Sequence, residues 1–268
     1  TSITIPSGVT RIGDNAFAGC TNLKKMIWLT NTPPAGYTNI EGAVNYVANT
    51  HYSSLKNKFI YPFLSSMFEV DGIRYVPVSP SERTCDAIDC SFDESLTEVH
   101  INPTVSYTGI SRKVQKIQPY TFYQNKNLQN LYLDIAGDIG KYSFYDCRNL
   151  RNVELRGNIT EINEYAFSKC SSLESVIISD SVKIIDQYAF DGCSNLASAV
   201  IGNGVESIGQ YAFSNCSNLT SVVIGEGTKT IDSYCFKDCS SLTSVTLGNR
   251  LVTIGQYAFQ NCSLLPSI

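Results

Sequence analysis

Apolar residues along this chain recur with a period of 23, a beat far longer than the two residues of a strand or the 3.6 of a helix. Phe144, Phe167, Phe190, Phe213, Phe236 and Phe259 are evenly spaced at that interval, with Phe122 one residue out of register. Five residues before each lies Ile117, Ile139, Ile162, Ile185, Ile208, Ile231 or Ile254. Three after most of them lies Cys147, Cys170, Cys193, Cys216, Cys239 or Cys262, and six after comes Leu128, Leu150, Leu173, Leu196, Leu219, Leu242 or Leu265. One such unit is too small to bury its own apolar face, so units stack and share a core.

Shorter periods inside the unit predict its elements. In Ile208 to Ile224, the residues Leu219, Val222 and Ile224 alternate as a strand with one buried face. Glycine turns follow at Gly202 to Gly204 and Gly225 to Gly227. A second extended segment carries Val205 and Ile208. Gly209, or Asp186 and Asp232 in its place, then opens a short helical turn that the aspartates can cap. Ala212, Phe213 and Cys216 point inward from it at spacings of three and four. Each unit thus supplies one strand to a parallel sheet and one short helix to the opposite wall.

The pattern L-x-x-V-x-I…V-x-x-I-G-x-x-A-F-x-x-C-x-x-L resembles the BspA-like, or Treponema-type, leucine-rich repeats of bacterial surface proteins. The resemblance covers residues 1–29 and 96–268. It implies an α/β repeat solenoid, a leucine-rich-repeat horseshoe with a parallel concave β-sheet and short convex helices. It further implies a cell-surface or secreted location and a role in adhesion, with a host extracellular protein or a surface glycan as partner.

After Trp28 the beat stops. Residues 30–66 match no repeat and read as an irregular insertion, and Thr32-Pro33-Pro34 excludes helix or central strand there. Residues 67–95 read in two ways. In one they are a worn-down repeat, with Met67, Val70, Ile73, Val76 and Val78 at the Phe, Cys, Leu, Val and Ile positions, and Cys85 and Cys90 at the Ile and Phe positions of the next unit. In the other they are a hairpin turning at Asp71-Gly72. Repeats then run over 96–268, with an extra loop near Asn102 to Lys113. Both ends fall partway through a strand pattern, so the chain reads as one continuous solenoid cut from a longer protein.

Composition narrows the chemistry. Charged residues are 16% of the 268 and the net charge is -4, which argues against nucleic acid as a partner because that needs a clustered basic face. No apolar run is long enough to span a membrane as a helix. Of the ten cysteines, seven (Cys20 and the six above) share one repeat position; strand spacing would let neighbours pair, but they read better as a column of buried free thiols, and whether Cys85 and Cys90 form a disulfide stays open. His51 and His100 are the only histidines, and no cluster has metal-ligand spacing. Cys235 and Cys239 lack a second pair, and Cys235 stands where the repeat has Ala. Glu161 and Glu164 lie at variable positions and read as solvated. The tyrosines at 120, 142, 165, 188, 211, 234 and 257 suggest a sugar-stacking strip but read better as packing between repeats. Neither a catalytic site, a metal site nor a cofactor is expected.

Recognition by a solenoid falls to the exposed positions of its strands. In the later repeats these are Ser198, Val200, Gly202, Ser221, Val223, Gly225, Ser244, Thr246 and Gly248, which are small. Earlier repeats carry Glu98, His100, Asn102, Asn130, Tyr132, Asp134, Asn152, Glu154 and Arg156, the mixture of long polar and aromatic side chains that supplies binding hot spots. These nine form the candidate ligand-binding patch on the concave sheet. The expected function is a non-catalytic binding or adhesion module, with a structural spacer as the alternative. An enzyme built on the 30–95 segment has the least support.

Overall fold

The computed structural model describes the backbone of four N-terminal strands and, with side chains, most of residues 68–79, 83–89 and 96–266. The first four strands are β1 (Ser2–Ile5), β2 (Lys25–Trp28), β3 (Val44–Val47) and β4 (His51–Tyr52). Ser2 lies opposite Lys25 in a parallel pair, so the first step follows the 23-residue beat. Val44 lies opposite Lys25 on the other side, so the 30–66 segment also adds a strand to the stack, with β4 antiparallel to it.

The next strands are β5 (Phe68–Val70), β6 (Ile73–Ser79) and β7 (Thr84–Asp89). Asp71 and Gly72 both have left-handed φ, 51° and 73°, and join β5 to β6 as an antiparallel hairpin. After β8 (Glu98–Ile101), the extra loop forms a second hairpin, β9 (Thr104–Tyr107) and β10 (Ile110–Ile117). These make a five-stranded sheet in the order β5-β6-β7-β10-β9. It curls until its two edges meet, with the Phe68 ring stacked 5.1 Å from that of Tyr107. The sheet shares one core with the repeats, and Val99 and Ile101 at the start of the repeats are only 2% and 1% exposed. The register expected for Cys85 is not the one found. Ala87 lies opposite Ile117 and so takes the Ile position, while Cys85 lies opposite Val114 as a buried free thiol. Cys90 lies outside the described residues.

The repeats build two walls. One carries two parallel sheets, each in register: β11 (Asn130–Ile135) and β12 (Asn152–Gly157) beside β8, then β14 (Ser175–Ile178), β16 (Ser198–Ile201), β18 (Ser221–Ile224) and β20 (Ser244–Thr246), with the Glu174 N–H on the Arg151 carbonyl between them. The other carries the two-residue strands β13 (Glu161–Ile162), β15 (Ile184–Ile185), β17 (Ser207–Ile208), β19 (Thr230–Ile231) and β21 (Thr253–Ile254). Bridges from Ile117 through Ile139 to Ile162 join that wall to β10. Between the walls lie the columns that the sequence predicts, including a ladder from Phe122 to Phe259 with rings 4.9–5.3 Å apart.

The short convex helices do not form: among the described residues there is no helix. The segment around each Phe is instead a stack of tight turns. A helix sends every N–H back along its own chain, whereas here alternate N–H groups cross to the next repeat. Tyr165, Phe167 and Lys169 donate to the carbonyls of Gln187, Ala189 and Asp191, while Ala166, Ser168 and Cys170 close turns onto residues three back. Left-handed residues at two places per repeat make the alternation possible. One is the tyrosine, with φ of 57–66° from Tyr120 to Tyr257. The other is the second residue after Phe, namely Gln124, Asp146, Lys169, Gly192, Asn215, Asp238 or Asn261. The expected helix-capping aspartates, Asp186 and Asp232, instead accept from the N–H of the next residue, Gln187 and Ser233.

The cysteine column has a polar role. Each Sγ–H from Cys147 to Cys262 donates to the Phe carbonyl of the preceding repeat, at 3.0–3.3 Å. That carbonyl already accepts a turn N–H, as with Cys170 on Phe167, so the thiol fills its second lone pair. Burial pushes the Cys170, Cys193 and Cys235 thiols well above their ordinary range.

Glycine is required where successive turns touch: a Cβ on Gly204 would lie 1.6 Å from the Asp180 carbonyl oxygen. Gly192 differs, since φ of 72° alone selects it and its Cβ position is open to within 3.5 Å of Lys169 Cγ. Gly192→Ala should therefore cost only about 1–2 kcal/mol, the left-handed penalty. Phe190→Ala, which empties a fully buried rung, should cost about 3–5 kcal/mol. Equilibrium urea unfolding ranks the two, and equal costs would contradict the stacked-turn description.

One buried carboxylate predicts a pH effect. Asp86 on β7 is 1% exposed; Gln118 Nε2 donates to its Oδ2 at 2.6 Å, and Oδ1 has no partner among the described residues. Burial pushes its pKa up to about 6, against the opposing pull of the Gln118 hydrogen bond and the Lys116 charge. The folded state therefore holds this proton more tightly than the unfolded chain, and stability falls as pH rises from about 4 to about 6, by roughly 2–3 kcal/mol. Asp86→Asn keeps the acceptor for Gln118 and removes the ionisation. The variant should melt higher than wild type at pH 7 and match it at pH 4 in thermal scans; a gap independent of pH counts against this origin.

Candidate functional site

Strand alternation sets the site. In β8, β11 and β12 the side chains of Val99, Ile101, Leu131, Leu133, Ile135, Val153 and Leu155 enter the core. The intervening residues therefore face outward. Register then aligns them across strands, with His100 opposite Tyr132, Tyr132 opposite Glu154, and Asp134 opposite Arg156. Eight of the nine residues expected to bind ligand thus come together on one three-stranded surface. Asn102 is exposed just past the end of β8, at the base of the β9–β10 hairpin.

Their side chains order one another. The His100 and Tyr132 rings stack at 4.3 Å with 10° between planes. The Arg156 guanidinium lies 5.6 Å from the Tyr132 ring centre and pairs with Glu154. His100 Nε2 is 2.8 Å from Glu98 Oε1. Asn152 Nδ2 donates to Asn130 Oδ1 at 2.7 Å, and Asn130 Nδ2 to Glu98 Oε2 at 3.5 Å. An aromatic pair capped by a guanidinium is pre-ordered, so binding against it freezes few rotors. The three carboxylates of Glu98, Asp134 and Glu154 outnumber the one guanidinium of Arg156, and the patch is acidic.

The later strands hold more than small residues. Ile177, Val200 and Val223 sit at the outward centre of β14, β16 and β18 and are 67%, 40% and 44% exposed. Sequence reasoning passes over Ile177, whose signal is an aliphatic residue between the two core positions of a strand, where the repeat does not need one.

The remaining candidates separate. Each inner ring of the tyrosine column is stacked between its neighbours at 4.6–5.2 Å, so both faces are covered and none is free to stack on a sugar. Glu164 pairs with Lys141, while Glu161, whose pKa burial raises, lies beside Asp138 and Asp186. Cys235 and Cys239 occupy different columns, and the Cys239 thiol is bonded to Phe213 O. Among the described residues no group of three or more His, Cys, Asp or Glu is placed to hold a metal ion. The side chain of His51 lies outside the described residues.

Two solved structures carry the same architecture in their repeats. A leucine rich repeat protein of Treponema pallidum matches with a TM-score of 0.66 and 25% identity over 75% of this chain and 91% of its own. A leucine rich cell surface protein of Faecalibacterium prausnitzii matches with a TM-score of 0.62 and 23% identity over 75% of this chain and 54% of its own. A leucine-rich repeat protein of Eubacterium ventriosum aligns over 97% of this chain, with a TM-score of 0.53 and 20% identity. No curated protein matches the chain. The BspA type leucine rich repeat region matches in six copies, over residues 1–107, 91–174 and 137–266, so the chain belongs to that family.

Proposed function

We propose that this chain is a non-catalytic recognition module, displayed at a bacterial cell surface or secreted, that binds an extracellular host protein or a surface glycan through its outward strand residues. The observation that carries this reading is the pre-ordered His100–Tyr132–Arg156 stack on an otherwise solvent-facing sheet. A cation and two rings held in one line have no part in the core, which is complete behind them. The Faecalibacterium relative, named as a cell surface protein, supports the surface location. A parallel in-register sheet also disfavours catalysis, because its side chains project side by side about 4.8 Å apart instead of converging on one atom.

The repeats from Ile159 onward favour a second reading, a spacer that holds another domain away from the cell. Their turns and columns repeat with little variation, as a rigid rod requires. The two readings part on one experiment. The pair Tyr132→Ala and Arg156→Ala should weaken binding of a ligand found on a glycan and matrix-protein array by about tenfold or more. Melting temperature should hardly move, because both side chains lie outside the core. Undiminished affinity for that ligand would remove the patch, and an array with no hits would favour the spacer.

A further inference from the structure

The exposed centre of the sheet forms one continuous row. His100, Tyr132 and Glu154 are in register across β8, β11 and β12, and Ile177, Val200, Val223 and Thr246 across β14, β16, β18 and β20. The two halves join where the Glu174 N–H donates to the Arg151 carbonyl at 3.2 Å, which places Ile177 one repeat after Glu154. Along this row the chemistry changes once, from aromatic and acidic to aliphatic.

We propose that this row seats one amphipathic α-helix of a partner protein. Aliphatic residues on successive turns of that helix lie over Ile177, Val200 and Val223, and an Arg or Lys near one end meets the carboxylates of Glu98, Asp134 and Glu154 beside Tyr132. The proposal rests on the recognition reading and extends it to the later repeats. Three observations select the occupant. The first is spacing: strands step about 4.8 Å and a helix about 5.4 Å per turn, whereas same-face residues of an extended chain recur every 6.6 Å or so. From His100 to Val223 the row runs five steps, about 24 Å, the length of a helix of some 16 residues. The second is relief. Ser175, Ser198 and Ser221 on one side and Gly202 and Gly225 on the other are too short to hide the aliphatic row, which stands as a ridge able to enter a helix groove. The third is charge. Glu98, Asp134 and Glu154 exceed Arg156 at one end, and the chain as a whole carries -4, so the complementary helix is basic.

The test uses three synthetic 16-residue probes against the intact chain, read by fluorescence anisotropy and circular dichroism. The first probe has Leu or Ile at i, i+3, i+7 and i+10 and Arg at one end. The second is a scramble of the same composition, and the third replaces Arg by Glu. The patterned basic probe should bind at least tenfold tighter than the scramble and the Glu probe, and should gain helicity on binding. Ile177→Ser, Val200→Ser and Val223→Ser together should weaken it at least tenfold, with an unchanged melting temperature as the folding control. Equal binding of the scramble, binding without helicity, or no loss in the triple variant would each overturn the proposal. Tyr132→Ala with Arg156→Ala keeps the two readings apart. If that pair abolishes binding of the array ligand while the serine triple leaves it unchanged and no probe binds, the recognition patch stands and the helix row falls.

Discussion

Phenylalanine rings set 4.9–5.3 Å apart and tyrosine rings at 4.6–5.2 Å impose one step on the whole chain. That step matches the spacing of hydrogen-bonded strands, about 4.8 Å, so rings, strands and turns can all advance together. The match is what a left-handed tyrosine depends on. Holding a non-glycine residue at positive φ costs about 1–2 kcal/mol. From Tyr120 to Tyr234 each such tyrosine regains an inter-repeat hydrogen bond, as from Tyr188 N–H to the Gln210 carbonyl, and a ring contact of about 0.5–1.5 kcal/mol. The strain is thus offset by contacts with neighbouring repeats, which makes order cooperative along the stack.

The same dependence bears on how the repeat columns are closed beside β8. Under β8 the apolar interior is closed by the curled sheet of β5, β6, β7, β10 and β9, with Phe68, Tyr75 and Val105 in the shared core. At β21 Ile254 is 50% exposed, where Ile231 one repeat earlier is fully buried. A solenoid needs such closure because its core is a channel without natural ends. The antiparallel hairpins can supply it because they leave the 23-residue beat, turn the strand direction and bring Tyr107 round to Phe68. Ala87 keeps one link to the columns by accepting the Gln118 N–H, just as Ile117 accepts that of Gly140.

Much of this was legible in the residues. Period, columns and parallel register follow from spacing alone, because a buried position in one unit is buried in all. Spacing misleads on the helix, because Ala212, Phe213 and Cys216 fall at intervals of three and four, which a stack of three-residue turns also produces. The contrary signal lay two residues after Phe, where Asp146, Gly192, Asn215, Asp238 and Asn261 are the types that tolerate left-handed φ. Tyrosine at its own left-handed position gives no such hint, since only the neighbouring ring makes that conformation tolerable. The candidate patch was legible as a departure from small residues. Its internal order was not: the His100–Tyr132 stack depends on register across 32 residues of chain that include a hairpin off the beat.

Stacking also dictates where variation is free. Core positions must suit both neighbours, turn glycines such as Gly204 must clear the preceding turn, and tyrosines must meet ring to ring. The outward strand positions carry none of these duties. An unneeded side chain there would by default be small and polar, as Ser198, Ser221 and Ser244 are. Exposed Ile177, Val200 and Val223 depart from that default as clearly as Tyr132 and Arg156 do, and at a cost, because aliphatic surface on a sheet invites association. Their alignment with the aromatic end makes the departure one surface and not two, and a surface of that length suits an elongated partner better than a compact one.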